Sequence, residues 1–287
     1  MIAPPVAGLL AWRMILLSML GTTSCVATIP TQYTFTTIDM PFADVQYTAI
    51  LGMNNAGIHV GEYQDSISEL LGFCGVNGRY TMQPLMVPQA INTARVTAGW
   101  YRSYQPDGMQ PIGFINTGTS LIPIRVPGMH GCQVTGINDR HDVVGTCEGP
   151  DGDFHAFFRE ANGTYQLIDP PFESSSGYGA TGINASRQVV GNYAEQGWLW
   201  TGETFVTIAV PGADWTLPHS INTQGHIAGV ACRETCAGFI LKNGVYQRIM
   251  VPGAIFTAIF EIIDNGTLAG TWYGPDDRQH GFVATRK

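Results

Sequence analysis

GINDRHDVVG, at residues 136–145, decides the reading of this chain, because the string comes back five times. The copies are GMNNAGIHVG at 52–61, AINTARVTAG at 90–99, GINASRQVVG at 182–191, SINTQGHIAG at 220–229 and, one residue shorter, IIDNGTLAG at 262–270. With Asn54, Asn92, Asn138, Asn184, Asn222 and Asp264 as anchors, the spacings are 38, 46, 46, 38 and 42 residues. Self-similarity at such a period marks a repeat architecture in which no single unit buries its own apolar face. Each copy reads as a strand, a turn that the Asn side chain caps, and a second strand.

Two weaker signals trail each anchor. The first is a small residue before an aromatic: Gly72-Phe73, Gly113-Phe114, Ala156-Phe157, Gly197-Trp198, Gly238-Phe239 and Gly281-Phe282. The second is an apolar stretch running into a proline, as in YTMQPLMVP from Tyr80, LIPIRVPG from Leu121, YQLIDPP from Tyr165, FVTIAVPG from Phe205 and YQRIMVPG from Tyr246. Six anchors carry only five such stops, and the sixth stands upstream of all of them as YTFTTIDMP, 33–41. In strands A to D the order is therefore D, five complete ABCD units, then ABC. An open array gains nothing from that offset, whereas a closed ring uses it to pair the first strand beside the last three and remove exposed edges. Four strands in roughly 40–45 residues is the blade size of a β-propeller. The expected fold is all-β, a six-bladed β-propeller over 28–287 whose N-terminal strand completes the last blade, in preference to a β-solenoid.

Asn77-Gly78, Asn162-Gly163 and Asn243-Gly244 fall between C and D, where a two-residue hairpin turn requires positive φ at both positions. The units resemble the HAF repeat family of bacterial extracellular proteins, whose repeat reads approximately G-I-N-x-x-G-x-V-V-G followed by H-A-F; residues 136–145 with His155, Ala156 and Phe157 match it best. The resemblance spans about 33–286 and implies an exported repeat protein without assigning an activity. Leu71, Ile112 and Ala237 stand where the family has the HAF histidine, so six catalytic histidines are excluded.

Composition agrees with this picture. Of 287 residues, 14 are Lys or Arg and 22 Asp or Glu, giving 13% charge and a net −8. With 35 Gly and 17 Pro there is little room for long helices. No basic run exists to neutralise phosphates, so no nucleic-acid partner is expected. Arg13, the apolar run at 14–21 and the small residues at 22–27 form the three parts of an export signal over 1–27. TTSC ending at Cys25 is similar to a lipoprotein cleavage box, with Thr22 in place of its usual Leu, and leaves lipid attachment and plain secretion as alternatives. Export permits disulfides. Cys132 and Cys147 flank a hairpin and pair; Cys232 and Cys236 clip one loop; Cys74 is free, or pairs with Cys25 if that residue is retained.

The repeated residues account for scaffold, so function is expected in the D-to-A and B-to-C connections, which share one face and vary most. They supply Trp100, Arg102, Tyr104, His130, Asp151, Asp153, Asp214, Trp215, His219 and Asp276 as the candidate ligand face, with Asp44, Tyr47, Glu62, Asp107, Glu148 and Glu173 nearby. Exposed aromatics beside carboxylates suit a sugar ring or a protein partner. Glu148, Asp151 and Asp153 are the candidate Ca²⁺ ligands; no other cofactor and no catalytic residue is assigned. The chain reads as a monomeric exported binding module for carbohydrate or protein. The alternative is a secreted hydrolase or lyase that pairs Asp276 or Asp151 with His280 or His155, an arrangement that needs hydrogen-bond contact. Asp and His from three or more blades converging in the central channel would favour that alternative.

Overall fold

The computed structural model describes residues 32–287 apart from 43, 66–69, 106–107 and 172–177. The export signal with Cys25, and also Asp107 and Glu173, lie outside the described residues. All regular structure described is β. The first strand, β1 (Tyr33–Ile38), precedes the repeats. Unit one is β2 (Val45–Met53), β3 (His59–Asp65), β4 (Leu71–Val76) and β5 (Arg79–Gln83). Unit two is β6 (Val87–Ile91), β7 (Thr97–Gln105), β8 (Gly108–Asn116) and β9 (Leu121–Ile124). Unit three is β10 (Cys132–Ile137), β11 (Val143–Glu148), β12 (Phe154–Arg159) and β13 (Tyr165–Leu167). Unit four is β14 (Tyr178–Ile183), β15 (Val189–Tyr193), β16 (Gln196–Trp200) and β17 (Phe205–Ile208). Unit five is β18 (Trp215–Ile221), β19 (Ile227–Cys232), β20 (Cys236–Lys242) and β21 (Val245–Ile249), and unit six is β22 (Phe256–Ile262), β23 (Leu268–Tyr273) and β24 (Gln279–Arg286).

Units two to five are each an antiparallel four-stranded sheet in chain order. Unit six takes its fourth strand from β1, which pairs with β24 from Tyr33↔Arg286 to Ile38↔Gly281. Units one and six are not separate sheets, however. One parallel pair, Tyr47↔Gln279, joins β2 to β24 and makes a single eight-stranded sheet. β2 begins early enough to reach β24 before turning inward, which the sequence pattern does not show.

The core lies between units. Phe73, Phe114, Phe157, Trp198, Phe239 and Phe282, the aromatics of the C strands, are all buried. The glycine closing each motif is explained by what a Cβ would meet: the carbonyl of the adjoining A strand, Ala49 for Gly61 and Gln133 for Gly145, and the ring of Phe73 or Phe157. Each A strand also carries a bulge, at Leu51, Gln89, Thr135, Thr181, His219 and Phe260, where the register slips against strand B. Bulges re-aim side chains, and these six all line the central channel.

The Asn anchors do more than cap. Asn138 accepts from the Arg140 and Asp142 backbone N–H groups through Oδ1, both at 2.9 Å, and its Nδ2 donates to the Asn184 carbonyl of the next unit at 3.1 Å. Asn54, Asn92 and Asn184 donate likewise to the carbonyls of Asn92, Asn138 and Asn222. Asn222 donates to Ile263, not Asp264. The turn hydrogen bonds agree, since Ile263 N donates to Thr267 O and Gly266 N to Ile263 O as Asn222 N does to His226 O and Gly225 N to Asn222 O. The sixth anchor is therefore Ile263, the sixth copy is full length from Glu261, and Asp264 matches Asp139. Asn77-Gly78 and Asn243-Gly244 have φ of 51° with 73° and 51° with 78°, as a type I′ turn requires. Asn162-Gly163 departs: only Gly163 has positive φ, and Glu160 pairs with Thr164 around a three-residue loop.

Candidate functional site

The channel narrows where the six A strands converge. The residue after each bulge is Gly52, Ala90, Gly136, Gly182 and Ser220 in units one to five. A Cβ on Gly52 would press on Ala90 Cα and one on Gly182 on Ser220 Cα, at 2.9 and 3.0 Å, so the spacing admits only small residues. Unit six has Glu261 at this position. Its carboxyl accepts from Ser220 Oγ, from Ile262 N at 3.0 Å and from the Met53 backbone. Burial pushes it up to about 7 against those hydrogen bonds. One bulge away, His219 stacks on Phe260 at 4.7 Å and shares a hydrogen bond with the Ile259 carbonyl through Nδ1. Burial lowers it to about 4. Asp139 and Asp264 at the rim are taken up by neighbouring turns, each accepting from the backbone N and Oγ1 of a threonine, Thr93 and Thr223. His219, Asp139 and Asp264 thus line one cavity of about 110 Å³ from three units. No cluster of three or more His, Cys, Asp or Glu able to hold a metal exists among the described residues.

The carboxylate–histidine contacts that a hydrolase requires are made twice. His280 Nδ1 meets Asp39 at 2.9 Å and its Nε2 meets Asp276 at 3.1 Å, with Trp272 stacked on the ring at 4.7 Å. In unit three His155 Nδ1 meets Asp169 at 2.7 Å, and Nε2 lies 3.7 Å from Asp151. Burial works to lower His155, but Asp169 and then Asp151 outweigh it and raise the imidazole. Both nitrogens of each ring face carboxylates, so neither histidine offers a free base. Each set clamps a B-to-C loop onto the exit of a D strand. Asp151 also accepts from the Asp153 backbone N–H, which closes the turn proposed for Ca²⁺ around its own backbone.

The remaining candidates scatter. Trp100 is only 5% exposed and pairs with Val87 inside unit two, so it belongs to the core. His219 is on the inner strand β18 and faces the channel. Tyr47 and Glu62 form a buried pair, Tyr47 Oη donating to Glu62 at 2.7 Å; burial raises Glu62 to about 7. Arg102 and Tyr104 are on strand β7, which with β8 extends the hairpin outward beyond the other units. Tyr104 is 82% exposed. Asp153, Asp214, His130 and Asp276 are on the loop face, with Trp215 half-buried at the start of β18.

Between units two and three that face opens into a cavity of about 320 Å³, lined by Gln105, Gln110, Arg125, Met129, His130 and the wall of Ile112 and Ile124. Of the predicted ligand-face residues His130 alone lines it, with the disulfide-bonded Cys132 beside it. Sequence reasoning missed Arg125, which follows β9 inside the IPIRVPG stop and looked like scaffold. Two disulfides form as expected, Cys132–Cys147 across the β10–β11 pair and Cys232–Cys236 at the β19–β20 loop, while Cys74 is free. Disulfides belong to oxidising compartments, which is consistent with export. No helix among the described residues is long and apolar enough to cross a membrane.

Comparison with known proteins gives the architecture a name. No protein-family model and no curated protein matches the chain. Among solved structures it is similar to virginiamycin B lyase from Staphylococcus aureus, with a TM-score of 0.50 and 9% identity over 88% of this chain and 99% of that one. It is similar also to AofleA from Arthrobotrys oligospora, at 0.50 and 9% over 88% and 92%, and to a gluconolactonase from Xanthomonas campestris, at 0.50 and 12% over 84% and 87%. The chain has a β-propeller fold. At these identities the likeness is one of fold alone.

Proposed function

We propose that the chain is an exported, monomeric six-bladed β-propeller of HAF-type repeats that binds carbohydrate through its loop face. The eight-stranded sheet counts as two blades meeting at the Tyr47↔Gln279 bridge, and β1 closes the ring as fourth strand of the last blade. The leader at 1–27 directs export, with Cys25 as the point of lipid attachment if that box is used. One observation carries the binding reading: the described lining of the larger cavity on the loop face includes no carboxylate, while the paired carboxylates and histidines are locked to each other elsewhere. A pocket lined by two glutamines and an apolar wall suits a small polar ligand better than a flat protein contact.

The test is a glycan array probed with the disulfide-intact protein, followed by mass spectrometry of the retained glycan. Retention without change of the glycan, lost on filling the pocket by Met129→Trp, supports the reading. Cleavage or elimination of the bound glycan would return the hydrolase or lyase alternative, and failure to retain any glycan would refute carbohydrate binding.

A further inference from the structure

We infer that the cavity between the second and third blades selects a carboxylate-bearing sugar, a hexuronic acid residue, with Arg125 as its anion anchor; the inference rests on the binding-module reading above. The argument starts from charge. A chain with net −8 repels anions at long range, so an anion site needs a local cation that is not already neutralised. Arg187 is spent on Asp142 and Glu160, Arg159 on Tyr165, Arg248 on Thr235 and Arg278 on the Val45 carbonyl. Arg125 is exposed, lines the cavity and makes no hydrogen bond or ion pair with any described residue. A guanidinium presents a planar fork that matches a carboxylate in two parallel hydrogen bonds.

Charge alone would fit any small anion, and the rest of the wall narrows the choice. Gln105 and Gln110 place two amides in the lining. Gln110 Oε1 is buried against Gly131 without a hydrogen-bond partner, so no bond on that oxygen holds the amide. The last torsion of a glutamine is soft, and a turn about it offers that acceptor to a hydroxyl donor, which a bare carboxylate lacks. Met129 and the Ile112 wall supply an apolar surface for the C–H face of a pyranose. The volume of about 320 Å³ stands at the lower end of the roughly 300–1,000 Å³ usual for small-molecule sites, enough for a mono- or disaccharide unit. Carboxylate, hydroxyls and a C–H face together describe a uronic acid.

The experiment is isothermal titration of the disulfide-intact protein with D-galacturonic acid, its trimer, the matched neutral galactose trimer, acetate and inorganic phosphate. The uronate trimer should bind at least about tenfold more tightly than the neutral trimer, and the preference should shrink as salt is raised. Arg125→Gln should remove that preference while leaving the thermal midpoint unchanged, because no described residue bonds to Arg125. Gln110→Ala should weaken both trimers together. Equal affinity for acetate or phosphate would reduce the site to a simple anion site and overturn the inference, as would uronate binding that survives Arg125→Gln. Binding of the neutral trimer with no gain from the carboxylate would also overturn it, yet would leave the carbohydrate-binding reading standing.

Discussion

Five of the junctions between successive units are made one way and the sixth another. From unit one to unit six, an asparagine amide reaches from each turn to the backbone carbonyl of the next, always in the same rotational sense. At the return from unit six to unit one the donor position is Ile263, which has no amide. The joint there is assembled without it. Asn55 and Asp264 exchange two hydrogen bonds, at 3.0 and 3.2 Å. Glu261 accepts from the Met53 backbone of unit one, and Arg278 donates to the Val45 carbonyl. The Asp–His–Asp clamps repeat the contrast. Asp151, His155 and Asp169 come from one short stretch of chain, while His280 must draw Asp39 from 241 residues away. A repeated unit can specify its junction with its successor by one side chain; the seam, made by segments distant in sequence, needs several.

Removing β1 tests the seam most severely. Tyr33 is buried and Asp39 holds His280, so deletion of residues 32–39 should cost more than about 4 kcal/mol and abolish the cooperative urea transition followed by near-ultraviolet circular dichroism. Next in size, Asn138→Ala leaves two backbone N–H groups without partners, takes the inter-unit donor from the Asn184 carbonyl, and should lower stability by about 3 kcal/mol in urea melts. Ile263→Asn supplies the missing latch in exchange for lost apolar burial, and should cost less than about 1 kcal/mol, far less than Ile137→Asn at a junction already latched. A larger loss would show that the seam has no room for the common joint.

Acid–base behaviour sharpens the comparison further. Glu261 and Glu62 titrate at about 7 when folded against 4.5 in an ordinary carboxyl, so the folded state holds the extra protons between these values. Stability should therefore fall as pH rises from about 4.5 through about 7, by on the order of 3 kcal/mol per group. Glu261→Gln should flatten its share of that slope. The smallest effect concerns His155, whose raised pKa contributes stability that is full below about 6.5 and lost as pH climbs through the folded value. Asp169→Asn should move its imidazole resonances to a lower titration midpoint in NMR.

Much of this architecture was legible because it repeats. The strand count, the D-before-ABCD offset and both disulfide pairs came from spacing, since a hairpin places Cys132 opposite Cys147 whatever else happens. The anchor slipped by one residue in unit six because Asp264 looks like an asparagine, although the turn geometry belongs to Ile263. Trp100 and His219 were misplaced because an aromatic or histidine beside a loop looks the same whether it turns outward, into a blade or into a channel; only the bulge decides. The clamps were half legible: the sequence pairs Asp276 and Asp151 with these histidines but not Asp39 and Asp169. GPD precedes both His155 and His280, and ID followed by one proline-proximal step supplies Asp169 and Asp39. Arg125 left none, because its availability is a property of what it does not touch.

The pairing of β1 with β24 sets a constraint on how the molecule is made. Tyr33 meets Arg286, 253 residues later, so the first strand waits with an open edge until nearly everything else has emerged. Contacts that distant slow folding, and an edge left waiting is open to any neighbour carrying the same three-stranded vacancy. Two unfinished copies can therefore trade first strands, each completing the other, and crowding during refolding should convert yield into exchanged pairs.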